Sequence, residues 1–126
     1  MTDATITLGA NCAENPLHTA KFAHMNRREK LEAMLVESPD DPFLKYALAL
    51  AFVSEGNAAR AREGLDGLLQ TAPEYVPAYL QLAQLQVDEG RADLAKPVLA
   101  QGIEMARRAG ESHAEEEMRG LLSQLP

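Results

Sequence analysis

Residues 42–75 read PFLKYALALAFVSEGNAARAREGLDGLLQTAPEY, and residues 76–109 read VPAYLQLAQLQVDEGRADLAKPVLAQGIEMARRA. Sliding the first stretch onto the second by 34 residues sets Leu48 on Leu82, Ala49 on Ala83, Gly56 on Gly90, Ala61 on Ala95, Leu65 on Leu99 and Leu69 on Ile103. Small residues fall on small ones and large apolar residues on large ones, which implies one packing unit used twice. Gly56 and Gly90 punctuate apolar runs of helical spacing, so each stretch reads as two helices joined by a turn.

Working outward, the helix boundaries are written in the capping residues. Asn26 followed by Glu29 predicts a capping box, and Leu31, Met34 and Leu35 give the helix over 27–37 an apolar face. Asp41 can cap the next helix with Pro42 at its first position, where an amide would have no intrahelical partner. Asn57 can cap the helix that Ala72 and Pro73 close. Pro97 is expected to bend or locally open its helix, since an interior proline costs about 3 kcal/mol. Arg107 and Arg108 suit a helix C-terminus, and Gly110 suits the stop that follows. Ser112 and Glu115 are read as a second capping box, opening a helix over 113–125 that covers the preceding unit. The expectation is an all-α, helix-turn-helix repeat solenoid of about six short antiparallel helices. Residues 26–126 form the domain, and residues 1–25 lack a helical apolar face and read as a flexible arm.

Composition narrows the function classes. Hydrophobic residues make up 46% of the 126 positions, enough for one modest core, while Trp is absent. The formal charge of -7, with residues 1–40, 41–90 and 91–126 each net negative, argues against a nucleic-acid or anionic membrane partner. Cys12 is the only cysteine, so no intramolecular disulfide can form. No apolar run approaches membrane-spanning length and no basic-then-apolar leader opens the chain, so a cytoplasmic location is expected.

The pattern Leu48-Ala49, Gly56, Ala61, Leu65 and Pro73, repeated as Leu82-Ala83, Gly90, Ala95 and Leu99, resembles the tetratricopeptide repeat (TPR), a helix-turn-helix unit of this period. Residues 27–37 then resemble the second helix of a preceding half unit, because Leu31, Leu35 and Pro39 stand 34 positions before Leu65, Leu69 and Pro73. The aromatic usual near the start of the first helix is kept as Tyr79 but replaced by Lys45 in the first copy, and the closing proline is replaced by Arg107 in the second. The resemblance implies a peptide-binding concave face on the first helix of each unit. That places Phe43, Tyr46, Leu50 and Val53, then Leu80, Gln84, Val87 and Asp88, on or near the face. A family-type clamp for a partner's terminal carboxylate is not in place, since the matching positions hold Tyr46, Leu50 and Gln81.

Three readings follow for a protein or peptide partner: a peptide-binding scaffold, self-association of two copies through the same apolar face, or an accessory subunit of a larger complex. Covering of that face by the chain's own 27–37 helix or arm also stays open. Catalysis and cofactors find no support. Cys12, His18 and His24 lack zinc spacing, so no metal is expected, and His113 beside Glu115, Glu116 and Glu117 reads as a solvated helix start. No nucleophile elbow, phosphate loop or His-Glu-x-x-His motif occurs.

Overall fold

A computed structural model describes residues 25–126. The expected arm, apart from Met25, and with it Cys12, His18 and His24, lies outside the described residues. Six helices follow in order: α1 (Arg27–Glu37), α2 (Pro42–Ser54), α3 (Ala58–Thr71), α4 (Val76–Asp88), α5 (Ala92–Ala109) and α6 (Ser112–Gln124). No strand occurs among the described residues.

The caps explain most of these boundaries. At α1 the Asn26 side chain accepts from the Glu29 amide at 2.8 Å while Glu29 accepts from the Asn26 amide at 3.1 Å, the reciprocal box. Asp41 accepts from the amide of Phe43 at 2.9 Å with Pro42 beginning α2, and Asn57 accepts from the amide of Arg60 at 3.2 Å. After α2 the amides of Gly56 and Asn57 reach back to the carbonyls of Val53 and Phe52. After α4 those of Gly90 and Arg91 reach the carbonyls of Val87 and Gln86. This closure needs a left-handed residue, and Gly56 and Gly90 supply it at φ 78° and 77°.

Two expectations are corrected. Ser112 is not a cap: the chain leaves Gly110 through the same closure, with the Glu111 amide bonded to the Ala106 carbonyl. Helix α6 therefore begins at Ser112, with Glu111 outside it and no side-chain cap. Glu115 turns instead to Arg119, at 2.8 Å. The local opening expected at Pro97 does not occur either, for α5 is continuous from Ala92 to Ala109 with the proline inside. Both Pro97 and Asp93 are exposed, so water can serve the carbonyl that the missing amide leaves free.

Successive helices pack as antiparallel hairpins, which makes α2, α4 and α6 roughly parallel, with α1, α3 and α5 running the opposite way. Two apolar clusters fill the spaces. Phe52, Leu65, Leu68, Leu82 and Leu85 centre the first, among α2, α3 and α4. Tyr79, Leu99, Ile103 and Met118 centre the second, among α4, α5 and α6. Ala49, Ala61, Ala83 and Ala95 are almost completely buried, because helices approach this closely only where side chains are small. Each fully buried leucine, such as Leu65 or Leu99, contributes about 1.5–3 kcal/mol relative to exposure.

One ion pair recurs with the period of the sequence. Arg28 meets Glu55 at 2.8 Å, and 34 positions on Arg62 meets Glu89 at 2.6 Å. A further 34 on, Lys96 donates to the carbonyl of Pro126. Each ties one returning helix to the end of a neighbouring forward helix.

Helix α1 is less well covered than its counterparts. It has no buried residue, and Met34 is 51% exposed where Leu68, its equivalent 34 positions on, is 1% exposed.

Candidate partner-binding groove

Helices α4 and α6 run side by side and leave a groove of about 360 Å³ between them. Its α4 wall is Leu80, Gln81 and Gln84, and its α6 wall is Glu116, Glu117, Gly120, Leu121 and Gln124. On each helix the wall follows i, i+4 spacing, Leu80 to Gln84 and Glu116 to Gly120 to Gln124, so each forms one stripe. Gln84 donates to Asp88 at 3.1 Å, which carries the α4 stripe on to a carboxylate at the helix end.

Gly120 adds no side chain to the α6 wall. A methyl group added there would meet nothing within 4 Å, so packing inside the chain does not require a glycine. A glycine in a helix interior costs about 1 kcal/mol relative to alanine, and here it keeps the groove open.

Of the eight residues expected on the face, the groove brings together Leu80 and Gln84, with Asp88 beside them. Val87 is half-buried and packs, like Leu80, against the second core cluster. Tyr46 packs against the first cluster and is 5.4 Å, ring to ring, from Tyr75. Burial raises the Tyr46 phenol above its ordinary value, Tyr75 adds to this, and a hydrogen bond with Gln81 opposes it. Tyr46 is therefore a neutral phenol at physiological pH, held by packing against the first cluster and the Tyr75 ring. Phe43, at 62% exposure, and Val53, at 39%, stand free on α2, while Leu50 is half-buried. The groove does not include these three.

The α6 wall was missed by sequence reasoning, which gave that helix only a covering role. The covering is real, since Met118 is completely buried against α5. A signal for the wall exists at an offset of 36: Ala78 falls on Ala114, Leu82 on Met118 and Leu85 on Leu121. Helix α5 is 18 residues long against 14 for α3, which throws α6 out of the 34-residue frame.

A second cleft, of about 250 Å³ and largely apolar, lies where α1, α2 and α3 meet and is lined by Leu35, Leu48, Phe52, Gly64 and Gly67 with Lys45 and Glu63. It is a packing seam between successive units, because the residues 34 positions on, Leu69, Leu82, Val98 and Gln101 with Tyr79, line the equivalent seam.

The described histidine lies in no catalytic arrangement among the described residues. His113 is exposed and 3.8 Å from Glu117, a solvated helix-start pair. Among the described residues no group of three or more His, Cys, Asp or Glu is placed to hold a metal ion, and no helix is long and apolar enough to cross a membrane.

Residues 52–125, more than half of the chain, match the tetratricopeptide repeat family model. The chain belongs to the tetratricopeptide repeat family. That match runs on through α6. A TPR repeat-containing protein of Pseudomonas aeruginosa is 30% identical over 97 residues, spanning 77% of this chain and 92% of that protein. A tetratricopeptide repeat domain protein from Salinibacter ruber, solved in solution, is 37% identical with a TM-score of 0.66, over 68% of this chain and 87% of that one. A Bordetella parapertussis protein shares the fold at 23% identity and TM-score 0.69, over 79% of this chain and 87% of that one. TPR domains are generally non-catalytic protein-protein interaction modules.

Proposed function

We propose that this TPR chain is a non-catalytic scaffold that holds a peptide segment of a protein partner in the α4/α6 groove, with the exposed apolar side chains of α2 extending the contact. The observation that carries this reading is the groove itself, walled by two parallel helices, with Gly120, a helix-interior glycine that no contact among the described residues requires, in its α6 wall. The domain then consists of a half unit over 27–37, units over 42–75 and 76–109, and a terminal helix that supplies the second wall. Its setting is cytoplasmic, and the charge of -7 favours a protein over a nucleic-acid partner.

Gly120→Leu fills the groove without touching the core. Expected is an unchanged or slightly raised melting temperature together with loss of the partner in affinity capture from the native source. Full capture by a correctly folded Gly120→Leu protein would sink the reading. Self-association through α2 makes a different prediction, namely that Tyr46→Ala halves the mass seen in analytical ultracentrifugation while Gly120→Leu leaves it alone.

A further inference from the structure

Among the described residues every charged side chain lining the α4/α6 groove is acidic: Glu116 and Glu117 on α6, with Asp88 continuing the α4 stripe. No cation among the described residues lines it. The arginine of the same helix, Arg119, is held by Glu115 at 2.8 Å, and His113, beside Glu117, is 87% solvent-exposed. The apolar contribution comes from Leu80 and Leu121, and the remaining lining is amide. From this, and resting on the groove reading above, we propose that the partner segment is cationic and amphipathic. Its aliphatic side chains pack on Leu80 and Leu121 while lysine or arginine side chains reach the carboxylates at the two ends of the groove.

The geometry sets a spacing as well. Helices α4 and α6 are parallel, and the 36-residue offset puts Leu80 beside Glu116 and Gln84 beside Gly120, so Asp88 lies at the opposite end from the two glutamates. Eight helical residues separate Leu80 from Asp88, or roughly 12 Å at the helical rise. An extended segment covers that distance in about four residues, so two cations about four residues apart match the two acidic ends. The C-terminal end of the α4 dipole reinforces the preference for positive charge beside Asp88. A free terminal carboxylate would meet only like charge in the groove.

Fluorescence anisotropy with the full chain tests this directly. The probes are two short blocked peptides with the same alternating leucine and serine positions, one carrying two lysines about four residues apart and the other two glutamates. The lysine peptide is expected to bind at least roughly tenfold tighter at low salt, with the difference shrinking as salt is raised. Gln at both Glu116 and Glu117 should remove most of that preference, and Gly120→Leu should abolish binding of the lysine peptide. Equal affinity for both probes, lost in Gly120→Leu, overturns the charge assignment and leaves the groove reading standing. Binding of the lysine peptide that Gly120→Leu does not affect, or no binding of it at low salt, overturns the inference itself. Capture of the native partner by the wild-type and Gly120→Leu chains decides the groove reading separately.

Discussion

Residues 42–75 and 76–109 share a skeleton and differ in where they put their volume. At Ala49 and Ala83, Ala61 and Ala95, and Leu65 and Leu99 the two copies are interchangeable and almost fully buried. Elsewhere they make compensating choices. The first copy pairs Lys45 with Leu68 in one seam; the second, at the same two places, pairs Tyr79 with Gly102. A methyl group on Gly102 would stand 2.6 Å from the sulfur of Met118 and 2.6 Å from Cβ of Tyr79, so the glycine makes room for the ring and for the methionine of α6. Tyr79 is then fixed by donating to the Pro73 carbonyl at 2.6 Å. The lesson is that a repeat constrains pairs of positions more tightly than single ones.

The most disruptive way to break the equivalence is Gly102→Leu, which writes the residue of the first copy into the second. A loss of about 3 kcal/mol in urea unfolding is expected from overpacking against Tyr79 and Met118. Adding Tyr79→Lys should return part of that loss, whereas a double mutant no better than the single one would show that the two sites are not coupled. Ala61→Leu, at a fully buried point of contact between paired helices, should cost about 1–3 kcal/mol, and an unchanged melting temperature would contradict its placement.

A smaller effect, of opposite sign, is expected where the second copy holds Gln86 in place of Phe52. Phe52 lies beneath two guanidinium groups, Arg60 at 5.0 Å and Arg28 at 5.5 Å from the ring. Gln86 is buried, and its Oε1 has no hydrogen-bond partner among the described residues. Gln86→Met should therefore stabilise the fold by about 1 kcal/mol, read as a higher urea midpoint at unchanged slope.

The mildest effect concerns pH. Hydrogen bonds from Arg107 at 2.6 Å and from Arg108 at 2.9 Å hold the exposed Glu104 carboxyl below its ordinary value. Because the folded-state value is the depressed one, the contribution is complete above the unfolded-state value and disappears as pH falls through the folded one. Glu104→Gln should make the acid side of the stability profile slightly shallower and leave the alkaline side alone.

The helices and most of their ends were legible in the sequence because their causes are local. Asn26 with Glu29, Asp41 with Pro42, and the glycines at 56 and 90 act within a few residues of themselves. Ser112 misled because the backbone closure after Gly110 starts the helix before a serine cap is needed. The groove was half legible. Leu80 and Gln84 followed from the family pattern, but the opposing wall depends on α6 returning beside α4, and the longer α5 hides that relation from a search at 34 residues. The series Arg28, Arg62 and Lys96 was visible at the 34-residue spacing, yet its partners lie 27 to 30 residues away and become evident only when the helices are packed.

The two clefts finally separate by NMR. Titration of the blocked lysine peptide into the isotopically labelled chain should shift the amides of Leu80, Gln84, Gly120 and Gln124 and leave Gly64 and Gly67 in place. Shifts centred on Gly64 and Gly67, with Gly120 unmoved, would contradict the assignment of the α4/α6 groove as the partner site.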